Sequence, residues 1–515
     1  MFKFLARTLA DGQETFGCRR TFPRHLLHRI TTLTISTGAV LFAQTIYTNQ
    51  LKAESTGRPN IVLIMADDHG YADLGCAGLA DDVRTPNLDR LAEQGTRFLQ
   101  AYATSPICNA SRAGLITGCH PARQGIFWYG GIGIQRADLP TIAELLKKAG
   151  YANGYFGKFH YGGEKAHSVD SRSFPMNHGF KTFYGFGGGR KHYLVHSAEA
   201  ESTFRLIQKE QARPGASLEQ GAMWRNRRQV DQRGFSTELF GEEARTFIEK
   251  NRDKPFFVQL SFNAVHNFTH QLPEEYLKAH NLKGYYDWDA ASEDYDEWYR
   301  RGRRPNNPEG RAHYLGQLHF LDVEVGRVLN YLDQTGLREN TLVIYIGDNG
   351  GSTPIYANNG PLRGSKYTLY EGGLRVPLII SWPGKVQQSR LSGNVVSAMD
   401  LFPTICAATG IELPDNLDGQ NILPLLTGEE PSLQHETLFW DTGHESAIRQ
   451  GQWKFRSTKN NEHAERQGVA LDLGEFLHDL DADPGETRNL TAEHPAVVAR
   501  LKKLHADWRS SLEDH

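Results

Sequence analysis

Cysteine is scarce: five residues in 515, at Cys18, Cys76, Cys108, Cys119 and Cys406. Their spacing forms no zinc-type cluster, and so few thiols scattered over this length make no disulfide framework. A surplus of one charge is also missing. Lysine plus arginine number 57 against 60 acidic residues, a net charge of −3, which argues against a nucleic-acid partner. There is no long uninterrupted apolar run. The stretch from Ile30 to Ala43 is broken by Thr and Ser and is too short and too polar for a stable membrane span.

What remains is an ordinary globular composition, 39% hydrophobic and 23% charged, long enough for one large domain and a smaller one. The first 57 residues read differently. Arg19, Arg20, Arg24 and Arg29 precede the Ile30–Ala43 run, as in an export signal with a long basic n-region. Arg19-Arg20-Thr21-Phe22 looks like a twin-arginine signal, although Cys18 and Pro23 fit it poorly. An uncleaved amphipathic anchor or a misassigned start is the alternative. We therefore divide the chain into a leader (1–57), a catalytic domain (58–390) and a C-terminal subdomain (391–515), and expect a periplasmic or secreted location.

Ile61-Val62-Leu63-Ile64-Met65-Ala66 has the continuous apolar pattern of a strand buried on both faces of a parallel sheet. It ends in Asp67-Asp68, two carboxylates at the strand end where open α/β sheets bind ligands; hard oxygens there suit Ca²⁺ or Mg²⁺. The pattern repeats. A helix around Thr141–Ala149 precedes a strand beginning at Tyr151 that runs into Lys158 and His160. A helix over Thr237–Asn251 precedes a strand over Pro255–Phe262 that delivers His266. A helix over Tyr314–Gly336 precedes Thr341–Ile346, which ends in Asp348-Asn349. If the strand before Lys158 continues, Lys158 and His160 face the same side. Residues 163–235 read as long loops, and 284–312 as a polar surface insertion. Alternating strands and helices imply an α/β fold with a mainly parallel sheet covered on both faces. Short strand-like pieces between 437 and 480 suggest a small antiparallel sheet with the helix Pro495–Leu512 packed on it.

Cys108-Asn109-Ala110-Ser111-Arg112, followed by Thr117-Gly118, is the most distinctive stretch. It suits a helix start, with Ser111 as cap and an anion favoured nearby. Taken alone, the five residues also fit a buried free cysteine beside a solvated arginine. The stretch resembles the signature of the type I sulfatases, Cys-x-Pro/Ala-Ser-Arg followed by Thr-Gly, with Ala110 where proline is more frequent. Gly157-Lys158-Phe159-His160 resembles a second motif of that family. A third ends in His266, with Val265 where the family has proline. The resemblance runs in order from Pro59 to Leu490.

The resemblance implies an alkaline-phosphatase-like α/β sandwich with a smaller C-terminal antiparallel sheet. It implies that Cys108 is converted by a formylglycine-generating maturation enzyme to Cα-formylglycine, whose hydrate attacks sulfur. Asp67, Asp68, Asp348 and Asn349, with residue 108, would hold the metal, usually Ca²⁺ and less often Mg²⁺. Arg112, Lys158 and Lys366 would offset negative charge. His266 and Lys366 would assist departure of the alcohol, and His160 the release of sulfate. The implied activity is a metal-dependent sulfuric ester hydrolase. A phosphoester or phosphonate monoester hydrolase on the same scaffold is the alternative, and Cys108 with Ser111-Arg112 favours sulfate. A glycan-binding pseudoenzyme is the reading from another class, and the intact catalytic positions speak against it. Trp128, Arg190, His192 and His444, in aromatic and basic surroundings, are the substrate-binding candidates. They point to a sulfated carbohydrate, with aryl sulfates as artificial substrates.

Overall fold

The computed structural model describes residues 57–189, 192–195, 223–283 and 295–512. The leader (except Gly57) and Arg190 lie outside the described residues, as does 284–294 of the expected insertion.

In chain order the strands are β1 (Asn60–Ala66), β2 (Thr96–Tyr102), β3 (Ala152–Lys158), β4 (Thr182–Phe186), β5 (Leu194–Val195) and β6 (Trp224–Arg225). Then come β7 (Arg228–Gln229), β8 (Gly234–Phe235), β9 (Phe256–Ser261), β10 (Thr341–Gly347), β11 (Leu378–Ser381) and β12 (Arg390–Ser397). Ten of them form one sheet in the order β12-β2-β11-β10-β1-β9-β3-β4-β6-β7. The central strands β10, β1, β9, β3 and β4 are parallel to one another.

Period-two alternation sorts β1 between two cores. Ile61, Leu63 and Met65 enter one; Val62, Ile64 and Ala66 enter the other. The first core is closed by the helices Cys108–Thr117, Ile142–Lys148 and Leu401–Thr409. The second is closed by Pro86–Glu93, Ser236–Asn251 and Gly310–Gln334, the last through Leu318, Leu321, Val325, Val328, Leu329 and Leu332. The result is the three-layer α/β arrangement the alternation implied.

Four sequence readings change. β4 lies where a loop was expected. Phe183, Tyr184 and Phe186 are buried there, and Gly185 is a packing requirement, because a Cβ on it would lie 1.9 Å from the Gly157 carbonyl oxygen. β2 was not anticipated. The expected insertion contains the helix Tyr295–Arg301, and its end belongs to the long helix starting at Gly310. The division at 390 falls at the first residue of β12, which pairs in parallel with β2 and therefore belongs to the large sheet.

β11 runs antiparallel to β10 and β2. A parallel successor to β10 would need a crossover back to the opposite edge. Instead residues 348–377 stay at the edge where β10 ends, and that keeps Asp348, Asn349 and Lys366 together.

The second sheet contains β13 (Thr437–Asp441), β14 (Glu445–Gln450), β15 (Trp453–Thr458) and β16 (Gly474–Asp479), antiparallel in that order. One face packs Ile448, Phe455 and Leu477 against Leu501 of the terminal helix Pro495–Ser511. The other packs Leu438, Trp440 and Ala447 against Tyr102, Leu369 and Leu374. The Trp440 indole donates to the Ala103 carbonyl at 2.9 Å, tying this sheet to the chain that leads into Cys108. Among the described residues no helix is long and apolar enough to cross a membrane.

Candidate active site

The C-terminal ends of four adjacent strands converge. β1 delivers Asp67-Asp68, β10 delivers Asp348-Asn349, β3 ends on Lys158, and β9 leads to His266. Such an edge concentrates functional groups because side chains there leave the sheet toward one crevice.

The helix Cys108–Thr117 points its N-terminus at this edge. Its N-cap is Ile107, extended and without a side-chain cap, and Ser111 lies inside the helix. The expected Ser111 cap is therefore corrected: the helix begins at Cys108, which puts residue 108 itself at the positive end. Cys108 is 1% exposed. Cys76, Cys108, Cys119 and Cys406 are all free thiols.

Buried acids and bases interlock around Cys108. Lys366 Nζ lies 2.6 Å from Asp68 Oδ1 and 3.8 Å from Cys108 Sγ. Arg112 Nε donates to Asp348 Oδ2 at 2.8 Å, its Nη1 donates to the Lys158 carbonyl at 2.7 Å, and its Nη2 lies 3.3 Å from Asp67 Oδ2. Lys158 Nζ bonds Asp67 Oδ2 and the Gly189 carbonyl. Asn349 Nδ2 donates to Asp68 Oδ1 at 2.8 Å, and His266 Nε2 lies 3.7 Å from Asp68 Oδ2. Ligand atoms of Asp67, Cys108 and Asp348 fall within 4.8 Å of one another, as do those of Asp67, Asp68 and His266.

Two acceptors stand out: Asp67 Oδ1 and Asn349 Oδ1 are buried without a hydrogen-bond partner. A carboxylate oxygen or an amide oxygen buried without a partner is costly unless a cation takes it. The donor set is hard oxygen, as Ca²⁺ or Mg²⁺ prefers, so the residues present fit such an ion. The charges agree. Asp67, Asp68 and Asp348 are balanced by Arg112, Lys158 and Lys366, so a divalent ion would leave the pocket positive toward an anionic ester.

Burial pushes the Cys108 thiol up, with Lys158 and Lys366 opposing. Burial draws the Lys366 amine down, but Asp68 and other neighbours raise it further, and it stays charged. Burial, then Lys158, holds His160 well below its ordinary range, so its ring is neutral at pH 7. His160 lies beyond β3, which stops at Lys158, and its φ is +35°. The condition for Lys158 and His160 to share a side, that the strand continue, is therefore not met. His160 nevertheless feels Lys158, Arg112 and Lys366, and its Nδ1 has no hydrogen-bond partner.

The outer residues separate. Trp128 and His444 meet edge to face with centroids 4.4 Å apart, and His463 lies 5.3 Å from Trp128. Asn109, next to Cys108, donates to the Trp128 carbonyl at 3.0 Å. Tyr129, 40% exposed, lies between Trp128 and Tyr367. His192 is buried against Phe268 and Trp298 at 4.7 and 5.6 Å. His463 was missed by sequence reasoning; exposed and outside any motif, it gave no signal.

Residues 59–411 match the family described as Sulfatase, and residues 365–511 match N-sulphoglucosamine sulphohydrolase, C-terminal. The chain is 31% identical to steryl-sulfatase of Mus musculus over 84% of its own length and 79% of the relative's. It is 28% identical to N-acetylgalactosamine-6-O-sulfatase of Bacteroides thetaiotaomicron, covering 88% and 93%. The crystal structure of Ps i-CgsB in complex with k-i-k-neocarrahexaose superposes with a TM-score of 0.70 at 28% identity, over 88% and 93% of the two chains. With the Cys108 helix, the acidic strand ends and the C-terminal sheet all inside these matches, the chain belongs to the sulfatase family and is a sulfuric ester hydrolase.

Proposed function

We propose that this enzyme removes sulfate from a sulfated carbohydrate, with residue 108 in its Cα-formylglycine form and a divalent ion, Ca²⁺ before Mg²⁺, held by Asp67, Asp68, Asp348 and Asn349. The observation that carries the reading is that two buried oxygens of these residues, Asp67 Oδ1 and Asn349 Oδ1, have no hydrogen-bond partner.

The ion supplies charge stabilisation on the sulfate, and the modified residue supplies an oxygen nucleophile in place of a thiol. The rest is done by this chain's side chains. Arg112 is locked by Asp348 and the Lys158 carbonyl, so its fixed fork directs charge without reorganising. Lys158 and Lys366 offset the negative charge that develops on the sulfate oxygens. Lys366 and His266, both against Asp68, hold donors toward the departing ester oxygen. His160, neutral and with Nδ1 open, accepts the proton that must be lost before sulfate leaves.

The rim carries the carbohydrate reading. Trp128, Tyr129, His444 and His463 present flat faces and polar edges beside the crevice, which suits a sugar ring. One similar structure holds an oligosaccharide, and one relative is named for a sulfated amino sugar. We assign the leader an export role, which predicts recovery of a shortened chain outside the cytoplasm.

The test is a mass spectrum of the peptide carrying residue 108, from protein made with a formylglycine-generating enzyme. The same sample is assayed on an aryl sulfate and a sulfated oligosaccharide. We expect the aldehyde mass, sulfate release from both, loss of activity in EDTA, and recovery with Ca²⁺. Unmodified cysteine with full activity, or activity indifferent to EDTA, would refute the reading. Cleavage of aryl sulfate alone would remove the carbohydrate assignment.

A further inference from the structure

Lys366 stands on a loop that the large sheet alone does not hold. Its inner end is tied by Lys366 N to the Gly351 carbonyl at 3.2 Å and Tyr367 N to the Pro106 carbonyl at 3.0 Å. The outer end is gripped from the C-terminal sheet. Leu369 N donates to Glu445 Oε2 at 2.8 Å, and Glu371 N donates to Glu486 Oε2 at 2.6 Å. Glu445 is 2% exposed and Glu486 0%. A buried carboxylate is costly without a cation. Both cations come from one face of β15: Arg456 Nη1 lies 2.9 Å from Glu445 Oε1, and Lys454 Nζ lies 3.0 Å from Glu486 Oε1.

The same cations also reach the loop directly. Arg456 Nη2 donates to the Tyr370 hydroxyl at 2.7 Å, and Lys454 Nζ donates to Glu371 Oε1 at 2.8 Å. Lys454 and Arg456 are fully buried and alternate with Phe455, which belongs to the core beneath the terminal helix. The close fit extends to the loop backbone: a Cβ on Gly373 would lie 2.0 Å from the Thr368 carbonyl oxygen.

We infer that Glu445, Arg456, Lys454 and Glu486 are positioning residues that fix Lys366 Nζ against Asp68 and residue 108, and that the C-terminal sheet thereby sets the rate of ester cleavage. The inference rests on the role given above to Lys366. A displacement of about 1 Å in a group of this kind costs on the order of 100-fold in rate.

The test is a double variant, Glu445→Gln with Arg456→Met, which removes the buried pair without leaving a lone charge. With Lys366→Ala and the triple variant it forms a cycle on 4-nitrophenyl sulfate and on phenyl sulfate. Thermal melts and the residue-108 mass serve as controls. We expect kcat to fall about 100-fold on phenyl sulfate, whose leaving group needs assistance, and about 10-fold on 4-nitrophenyl sulfate, with KM changed less than about threefold. We also expect the triple variant to be no slower than Lys366→Ala alone. Additive losses, equal losses on both substrates, or a fully active double variant would overturn the clamp while leaving Lys366 its role. A fully active Lys366→Ala would overturn both. Should the double variant fail to fold, Glu445→Gln and Glu445→Ala decide. Glutamine keeps an acceptor for Leu369 N and should retain at least about tenfold more activity than alanine; equal activity would overturn the inference.

Discussion

Arg112 shows how one side chain can organise the site. Its guanidinium reaches Asp348, Asp67 and the Lys158 carbonyl at once, which a lysine ammonium cannot do. Arg112→Lys is expected to lower kcat/KM at least about 100-fold and stability by about 3 kcal/mol, because buried acceptors lose their donors. Steady-state kinetics on an aryl sulfate and a thermal melt measure both. At this scale the convergence of Asp67, Asp68, Asp348, Asn349 and Lys158 was legible, since apolar strands ending in charged residues announce a ligand edge, whereas Lys366, on a loop, was placed only by the family resemblance. The capping of the Cys108 helix was not. Ser111 is a good cap by type, but the helix starts three residues earlier, where a buried setting and not a cap fixes the chain. His192, basic by type, went into an aromatic cluster because its loop folds back over Phe268 and Trp298.

Among the elements, β4 and β15 mislead in opposite ways. Gly185 and its glycine-rich surroundings suggest a loop, yet β4 needs Gly185 so that its backbone can approach β3. Gly185→Ala is expected to cost about 3 kcal/mol or more, whereas Gly393→Ala, with open space around it, should stay within about 0.5 kcal/mol. Denaturant midpoints compare the two directly. β15 alternates Lys454, Phe455 and Arg456, which reads as a strand with one wet face. In the fold that face is dry and its two cations are ion-paired, because the acids that answer them come from other elements, at residues 371, 445 and 486. Alternation gives the register of a strand and does not say which side meets water.

At the scale of the unit spanning 58–515, the layered α/β design was readable from the repeated apolar strands. The edge strand β12 and its neighbour β2 were not, since their half-polar faces lack that pattern. Stability across this unit should depend on pH through buried histidines. Burial lowers His120 to about 4 and His178 to about 3. In the unfolded chain each titrates near 6.5. The unfolded chain therefore binds protons that the folded one refuses. This stability is complete above pH 6.5 and is lost as pH falls toward the folded values. Each should remove about 2 kcal/mol between pH 7 and pH 5. Melting temperatures over that range are expected to drop, and His120→Gln should flatten the curve.

The 1% exposure of Cys108 bears on the order of events in the life of the molecule. Under the proposed conversion, a second protein must reach a sulfur that the finished fold seals beneath Lys366. The opportunity therefore closes when the helix docks. Folded, unconverted protein incubated with the maturation enzyme is expected to keep the cysteine mass at position 108, while a peptide spanning 106–125 is converted. A molecule that folds too early is then permanently inert, and the fraction active in a preparation records a race won or lost during synthesis.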